Sequence, residues 1–230
     1  MTTLVLVRHG RTPMTGPVLA GWTPDVHLDD EGIKQAASLA TRLAPIPLAA
    51  VVSSPLDRCL DTVAPILESH GGLTLDIDER LGECRYGSWT GKALKELAKH
   101  PMWKVVQNHP SAAVFPDGES LAAVQARAVA AVRERSAAVA EAHGDDAIWL
   151  ACSHGDVIKA IVADALGLHL DLFQRIVIGT CSATVIKYTV LRPFVVKVND
   201  TGGDLSELIP PKRRRKRARG ASDATVGGGR

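Results

Sequence analysis

Cysteine is scarce in this chain: Cys59, Cys84, Cys152 and Cys181 are the full complement, widely separated and without a Cys-x-x-Cys pair. That spacing argues against a zinc site or a disulfide framework and for a reducing compartment, so a cytoplasmic location is expected. No uninterrupted apolar run approaches the length that crosses a bilayer, and no membrane span is expected. A strand is expected to begin two residues after Met1, so no signal peptide is expected. No internal repeat is visible. Nor is there an obvious set of metal ligands, so neither a metal nor another cofactor is expected.

What is present suits a soluble globular protein. The 230 residues are 46% hydrophobic and 23% charged, enough for one large domain, or one domain with an appendage, around a substantial core. The net charge of +2 conceals an asymmetry. Residues 210–230 hold eight Lys/Arg and one Asp, a balance of +7 that leaves −5 for residues 1–209. The body is mildly acidic and the end strongly basic.

The chain is organised around Leu4-Val5-Leu6-Val7-Arg8-His9-Gly10-Arg11. Four consecutive aliphatics read as a strand buried on both faces, and they stop at a cation, an imidazole and a glycine. In open α/β sheets ligands lie outside the carboxyl ends of the strands. A histidine there beside an arginine suits attack on an anionic electrophile such as a phosphoryl group. Taken alone, Arg-His-Gly reads better as a strand-capping His9 beside a solvated Arg8, so the functional reading depends on partners elsewhere.

Further along, Thr12 to His27 is a Pro- and Gly-rich loop in which Gly21-Trp22 stands where it can wall a pocket. Asp29 or Asp30 caps a helix whose apolar positions are Ile33, Ala36, Ala37, Ala40 and Leu43. A second buried strand, Ala49 to Ser53, runs into Ser54-Pro55 and a helix with Arg58 on its first turn. Leu73 to Ile77 is a third, short strand. Residues 80–118 are irregular and read as an insertion over the sheet, with Trp89, Met102, Trp103 and Phe115 as apolar pieces that shape a pocket. A long alanine-rich helix from about Ser120 to His143 leads to a buried strand, Ala147 to Cys152, that ends in Ser153-His154-Gly155. A helix from Asp156 to Leu166, stopped by Gly167, and two late strands, Thr184 to Tyr188 and Phe194 to Val198, complete the order. Strands alternating with helices in this way indicate a mostly parallel sheet covered on both faces.

Histidine thus ends two separate buried strands, each time followed by glycine. Ser53-Ser54-Pro55-Leu56-Asp57-Arg58 supplies a third strand-to-helix junction. Helix starts favour anions, and two arginines, two histidines and two helix starts at one crevice make a clamp of the kind phosphoryl transfer requires. Singly, Arg58 is as readily a surface residue paired with Asp57 or Asp61, and His154 a satisfied core histidine. An acid for the leaving group is available in Glu83, although a lone loop glutamate is usually solvated.

The motifs Arg8-His9-Gly10, Ser53-Ser54-Pro55 with Arg58, Glu83 ahead of Gly87-Ser88-Trp89-Thr90-Gly91, and Ser153-His154-Gly155 stand in one order over about residues 3–190. In this the chain resembles the histidine phosphatase superfamily, the branch that includes cofactor-dependent phosphoglycerate mutases and bacterial phosphatases. The resemblance implies a phosphoglycerate mutase-like fold, a three-layer α/β/α sandwich with a mostly parallel sheet. It implies His9 as the phosphorylated nucleophile, Glu83 as the proton donor, and Arg8, Arg58 and His154 as the groups that hold the phosphoryl oxygens. The expected activity is that of a histidine acid phosphatase-type phosphatase, a phosphomonoester hydrolase acting on a small phosphorylated metabolite. A phosphoglycerate mutase-type phosphotransferase and a non-catalytic phospho-ligand module are the alternatives. Arg11 stands where the mutases carry an acidic residue, Gly16 and Ala20 where they carry an asparagine and a small hydroxyl, and Trp89 is a phosphatase-like feature.

Residues 1–199 are expected to form the catalytic domain, and residues 200–230 a Gly/Pro linker with a basic disordered tail. The run Lys212 to Arg219 is either a solvated end or a weak contact for polyanions. The sequence leaves the oligomeric state open, a homodimer included.

Overall fold

The computed structural model describes residues 1–203. Its elements in chain order are β1 (Thr2–Arg8), α1 (Asp30–Leu43), β2 (Leu48–Ser53), α2 (Asp57–Ser69), β3 (Leu75–Ile77), α3 (Leu94–Leu97), α4 (Trp103–Asn108), α5 (Leu121–His143), β4 (Ala147–Ser153), α6 (Gly155–Ala165), β5 (Ala183–Tyr188) and β6 (Pro193–Asp200). The basic run from Lys212 lies outside the described residues.

Aliphatic alternation decides the layering. On β1, Leu4 and Leu6 join one core cluster with Trp149 and Ala151 of β4, beneath α5 and α6. Val5 and Val7 join the other with Leu150 and Cys152, beneath α1 and α2. A strand apolar on both faces must be covered on both, and each buried Leu or Val contributes about 1.5–3 kcal/mol. The result is a three-layer α/β/α sandwich with one sheet in the order β3-β2-β4-β1-β5-β6. β1, β2, β3 and β4 run parallel, β5 runs against β1, and β6 against β5. Only β5 therefore opposes the rest, and the sheet is mostly parallel.

Local signals behave as their chemistry requires. Asp29 caps α1 by accepting from the Gly32 amide at 2.8 Å, and Ser120 caps α5 by accepting from the Ala123 amide at 3.0 Å. Ile33, read as a core position of α1, is 57% exposed; the buried stripe is Ala36, Leu39, Ala40 and Leu43, with Gly32 pressed against the Arg11 carbonyl.

The insertion departs from expectation. Trp89, Trp103 and Phe115 are buried against one another, Trp89 stacked on Trp103 at 6.3 Å between ring centroids and edge-on to Phe115 at 5.4 Å. Met102 packs against the same cluster. These residues extend the core rather than wall a pocket, because aromatics without a polar partner gain most by full burial.

β4 lies between β2 and β1, so the segments leaving all three carboxyl ends converge. The His9 amide donates to the Ser153 carbonyl at 3.0 Å, and the Ser54 amide to the Cys152 carbonyl at 3.0 Å. Gly10 is needed here for closeness: a Cβ would sit 2.9 Å from the Gly32 carbonyl oxygen and 3.1 Å from Leu28.

Candidate active site

Five side chains meet at this convergence. Arg8 ends β1 and His9 comes directly after it; Arg58 sits on the first turn of α2; His154 precedes α6; Glu83 arrives on the irregular segment after β3. All five are buried, with Arg8 at 2% and Arg58 at 1% exposure. Arg8, His9, Arg58 and Glu83 line a small cleft, and His154 lies behind them with its ring centroid 5.2 Å from that of His9.

The hydrogen bonds fix the protonation of both imidazoles. His9 Nδ1 is 2.7 Å from the Gly10 carbonyl oxygen, which only accepts, so Nδ1 carries the proton and Nε2 keeps its lone pair. Burial first, then Arg58 and Arg8, hold this imidazole well below the usual histidine pKa, so it is neutral. His154 Nδ1 accepts from Arg58 Nη2 at 3.3 Å, which leaves Nε2–H to donate to Ser54 Oγ at 2.8 Å. Burial, and then Arg58, keep His154 neutral too.

Arg58 also donates to the Gly21 carbonyl at 2.8 Å, while its Nε and Nη1 are buried with no partner among the described residues. Buried guanidinium donors left so are costly unless an anion meets them. Arg8 Nη1 donates to the Ile178 carbonyl at 2.8 Å. Burial outweighs the nearby Glu83 and Asp156 and lowers the Arg8 pKa from its ordinary value.

Glu83 shows the same balance with the opposite sign of shift. Its Oε1 accepts from the Cys84 amide at 2.9 Å, and Oε2 stands 4.0 Å from His154 Nδ1. Burial and the neighbouring Asp156 outweigh both arginines and push the carboxyl up to about 7. Asp156, fully buried, accepts from Tyr86 Oη at 3.0 Å. Such a carboxyl as Glu83 can give a proton near neutrality and take one back.

The walls of the cleft come from residues 12–21, with Tyr86 and Leu94. Gly21 lines it, but Trp22 turns onto the acid segment and donates through Nε1 to the Glu83 carbonyl at 2.5 Å. Gly16 and Ala20 both lie on the wall, whereas Arg11 points away and pairs with Asp29 at 3.1 Å. Tyr86 and Asp156 escaped the sequence reading, and Ser54 entered it only as part of a junction, since their contacts appear only once distant segments are adjacent. Among the described residues no group of three His, Cys, Asp or Glu side chains is placed to hold a metal ion, and no helix is long and apolar enough to cross a membrane.

Comparison with known proteins points the same way as the geometry. Residues 4–201 match the model of the histidine phosphatase superfamily, branch 1. A glucosyl-3-phosphoglycerate phosphatase of Mycolicibacterium vanbaalenii is 33% identical over 171 residues, 73% of this chain and 76% of that one. A probable phosphoglycerate mutase GpmB of Yersinia pestis is 28% identical over 215 residues, 92% of this chain and 97% of that one. Among solved structures, the native mycobacterial glucosyl-3-phosphoglycerate phosphatase superposes with a TM-score of 0.76 at 26% identity, covering 86% of this chain and 98% of its own.

The orphaned Arg58 donors generate a direct expectation. Inorganic phosphate should raise the melting temperature of the wild-type protein, because an anion that binds only the folded state stabilises it. Arg58→Met should weaken that binding by about tenfold or more, since a hydrogen bond to a charged group contributes roughly 1.5–3 kcal/mol. Equal phosphate-induced shifts in the two proteins, measured by scanning calorimetry, would exclude Arg58 as an anion ligand.

Proposed function

The chain belongs to the histidine phosphatase superfamily, branch 1, and on that footing we propose that it hydrolyses small phosphomonoesters through a phosphohistidine formed on His9. The observation that carries the reading is the Nδ1–H bond to Gly10, which leaves a neutral ring with its lone pair on Nε2, beside two buried guanidinium groups.

In the proposed sequence, Arg8 and Arg58 receive the non-bridging phosphoryl oxygens. The arriving dianion reverses the field on His154 and favours its imidazolium, which then donates from Nδ1 as well. His9 Nε2 attacks phosphorus in line with the ester oxygen, and the P–O bond breaks as P–N forms. Glu83 gives its proton to the departing alcohol. Water then attacks phosphorus, Glu83 takes its proton, the P–N bond breaks and phosphate leaves. The guanidinium pair supplies the positive charge that spreads over the transition state. A module that only bound phospho-ligands would have no use for a buried carboxyl titrating near neutrality. Four free, buried cysteines suit a reducing cytoplasm.

Glu83 must be protonated for the first step and ionised for the second. With its carboxyl near 7, turnover limited by departure of an alkyl alcohol should be sustained below pH 7 and fall as pH rises through about 7. His9, held well below the usual histidine value, should remain a competent nucleophile on the acid side of pH 6.5. Glu83→Gln should remove the fall above pH 7 and lower the rate for alkyl esters by about 10²–10⁴-fold, the usual contribution of a general acid, with much less loss for nitrophenyl phosphate. Identical pH–rate profiles of wild type and variant on an alkyl phosphate would reject this role.

The cleft walls bear on the alcohol. Met14, Val18, Leu19 and Leu94 are apolar, Thr12 and Thr15 offer neutral hydroxyls, and Arg8 and Arg58 are the only cations lining it among the described residues. A second carboxylate would be desolvated there without a partner, at several kcal/mol. We therefore expect esters of compact, uncharged alcohols to be hydrolysed with kcat/KM about tenfold or more above 3-phosphoglycerate, a difference of about 1.4 kcal/mol. Interconversion of 2- and 3-phosphoglycerate, primed with bisphosphoglycerate, should lag behind phosphate release. Isomerisation outrunning release on the same preparation would replace the hydrolase reading with the mutase one.

A further inference from the structure

The segment that delivers Glu83 has an unusual hydrogen-bonding problem. Residues 80–83 leave a single 3-10 turn, Glu79–Leu81, and enter no strand or helix. Their four consecutive carbonyls accept no backbone amide among the described residues. Carbonyl groups at the edge of a core must be satisfied somehow. Here side chains do it: Ser153 Oγ donates to the Leu81 carbonyl at 2.6 Å, and a single residue of α5, Arg127, serves the other three.

Arg127 Nη1 donates to the carbonyls of Arg80 at 2.6 Å and Gly82 at 2.9 Å, and Nη2 to that of Glu83 at 3.1 Å. Nη2 and Nε also engage the two oxygens of Glu119, at 2.6 and 3.0 Å. A guanidinium has five N–H donors, and all five are used. Glu119 in turn exchanges bonds with a residue beyond the acid: its Oε1 accepts from the Arg85 amide at 2.8 Å, and its own amide donates to the Arg85 carbonyl at 2.9 Å. Trp22 also packs on the segment, bonded to the Glu83 carbonyl, with the Arg85 guanidinium 3.8 Å above its ring. A side chain at position 82 would collide with that ring. Among the described residues the Glu83 carboxyl itself accepts one hydrogen bond, from the next amide. Its position is thus the position of its backbone.

We propose that Arg127 is a positioning residue for the reaction: its fork on the carbonyls of residues 80, 82 and 83 places the Glu83 carboxyl where it can reach the leaving oxygen. The proposal rests on the reading of Glu83 as proton donor. Arg127 touches no reacting atom. Its bonds reach the site through the backbone of Glu83, and its charge is only the least of the influences on His154, so its loss should be felt chiefly where Glu83 matters. A lysine cannot replace it, because one ammonium has three donors and no planar fork with which to span three carbonyls and a carboxylate. A displacement of about 1 Å at a reacting group can cost about 10²-fold in rate.

The test compares two esters, an alkyl phosphate and nitrophenyl phosphate, on each preparation of full-length protein. The ratio of their rates is independent of how much of a variant is folded. In Arg127→Met and Arg127→Lys the alkyl ester should lose about 10–10²-fold while nitrophenyl phosphate loses less than about threefold, the pattern of a displaced acid. Placed on a Glu83→Gln background, either substitution should produce little further loss on the alkyl ester, since the two residues act as one unit. An unchanged ratio in both Arg127 variants, or full additivity with Glu83→Gln, would make Arg127 a structural ion-pair residue only and overturn the proposal. If Glu83→Gln alone left the ratio unchanged, the proton-donor reading would fail first and the proposal with it, a different result from an Arg127 failure.

Discussion

Two guanidinium groups are held out of water where the chain leaves β1 and β2, the strands on either side of β4, and the rest of the site answers to that constraint. Arg8 and Arg58 are 2% and 1% exposed. Charges so placed are tolerable only in a matrix that fixes them, and backbone is part of that matrix: the Ile178 carbonyl accepts from Arg8 and the Gly21 carbonyl from Arg58. Their field, added to burial, keeps both imidazoles neutral. It would also drive Glu83 to ionise. Burial and Asp156 prevail instead, and the carboxyl stands near 7. A stronger pull from the arginines would leave no proton to donate, and deeper burial alone would leave no base for water. The site is adjusted between these limits, at some expense in stability, as functional sites commonly are.

The fold serves this arrangement through the central place of β4. Because β4 separates β2 from β1, the three segments carrying Arg58, His154 and His9 leave the sheet side by side. The remaining two components, the wall of residues 12–21 and the acid segment, are connections rather than sheet elements, and the acid segment is anchored by long side chains. Trp22 and Arg127 both donate to the Glu83 carbonyl. On the proposed roles, a rigid sheet holds the anion ligands while connections hold the acid and the walls, a division of labour that would allow the alcohol specificity to vary while the phosphoryl chemistry stays fixed.

Much of this was legible in the sequence because its signals are local. A run such as Leu4 to Val7 is apolar without a break, so it is a strand covered twice, and Arg8, His9 and Gly10 after it lie at the mouth of a sheet. The same logic places His154, and helix spacing places Arg58 on a first turn. Ile33 and the aromatics of the insertion show where local reading stops: whether an apolar side chain is buried, and against what, depends on which element covers it. Arg127 is the sharper case. It lies in an alanine-rich helix and resembles a solvated helix residue, and three of its five bonds go to main-chain carbonyls 44 to 47 positions away. Backbone acceptors carry no side-chain signature, so no motif can announce them.

The central claim is that the lone pair on His9 Nε2 is the group that attacks phosphorus. It is tested most directly by quenching the enzyme in alkali during turnover of a phosphomonoester and locating any phosphoryl group by peptide mass spectrometry, with phosphorus NMR to assign the ring nitrogen. The account predicts one acid-labile, base-stable phosphoryl group, on His9 and on Nε2, absent from His9→Ala protein, which should also lack turnover. Phosphate on Nδ1, on His154, or on no residue while hydrolysis proceeds would contradict it.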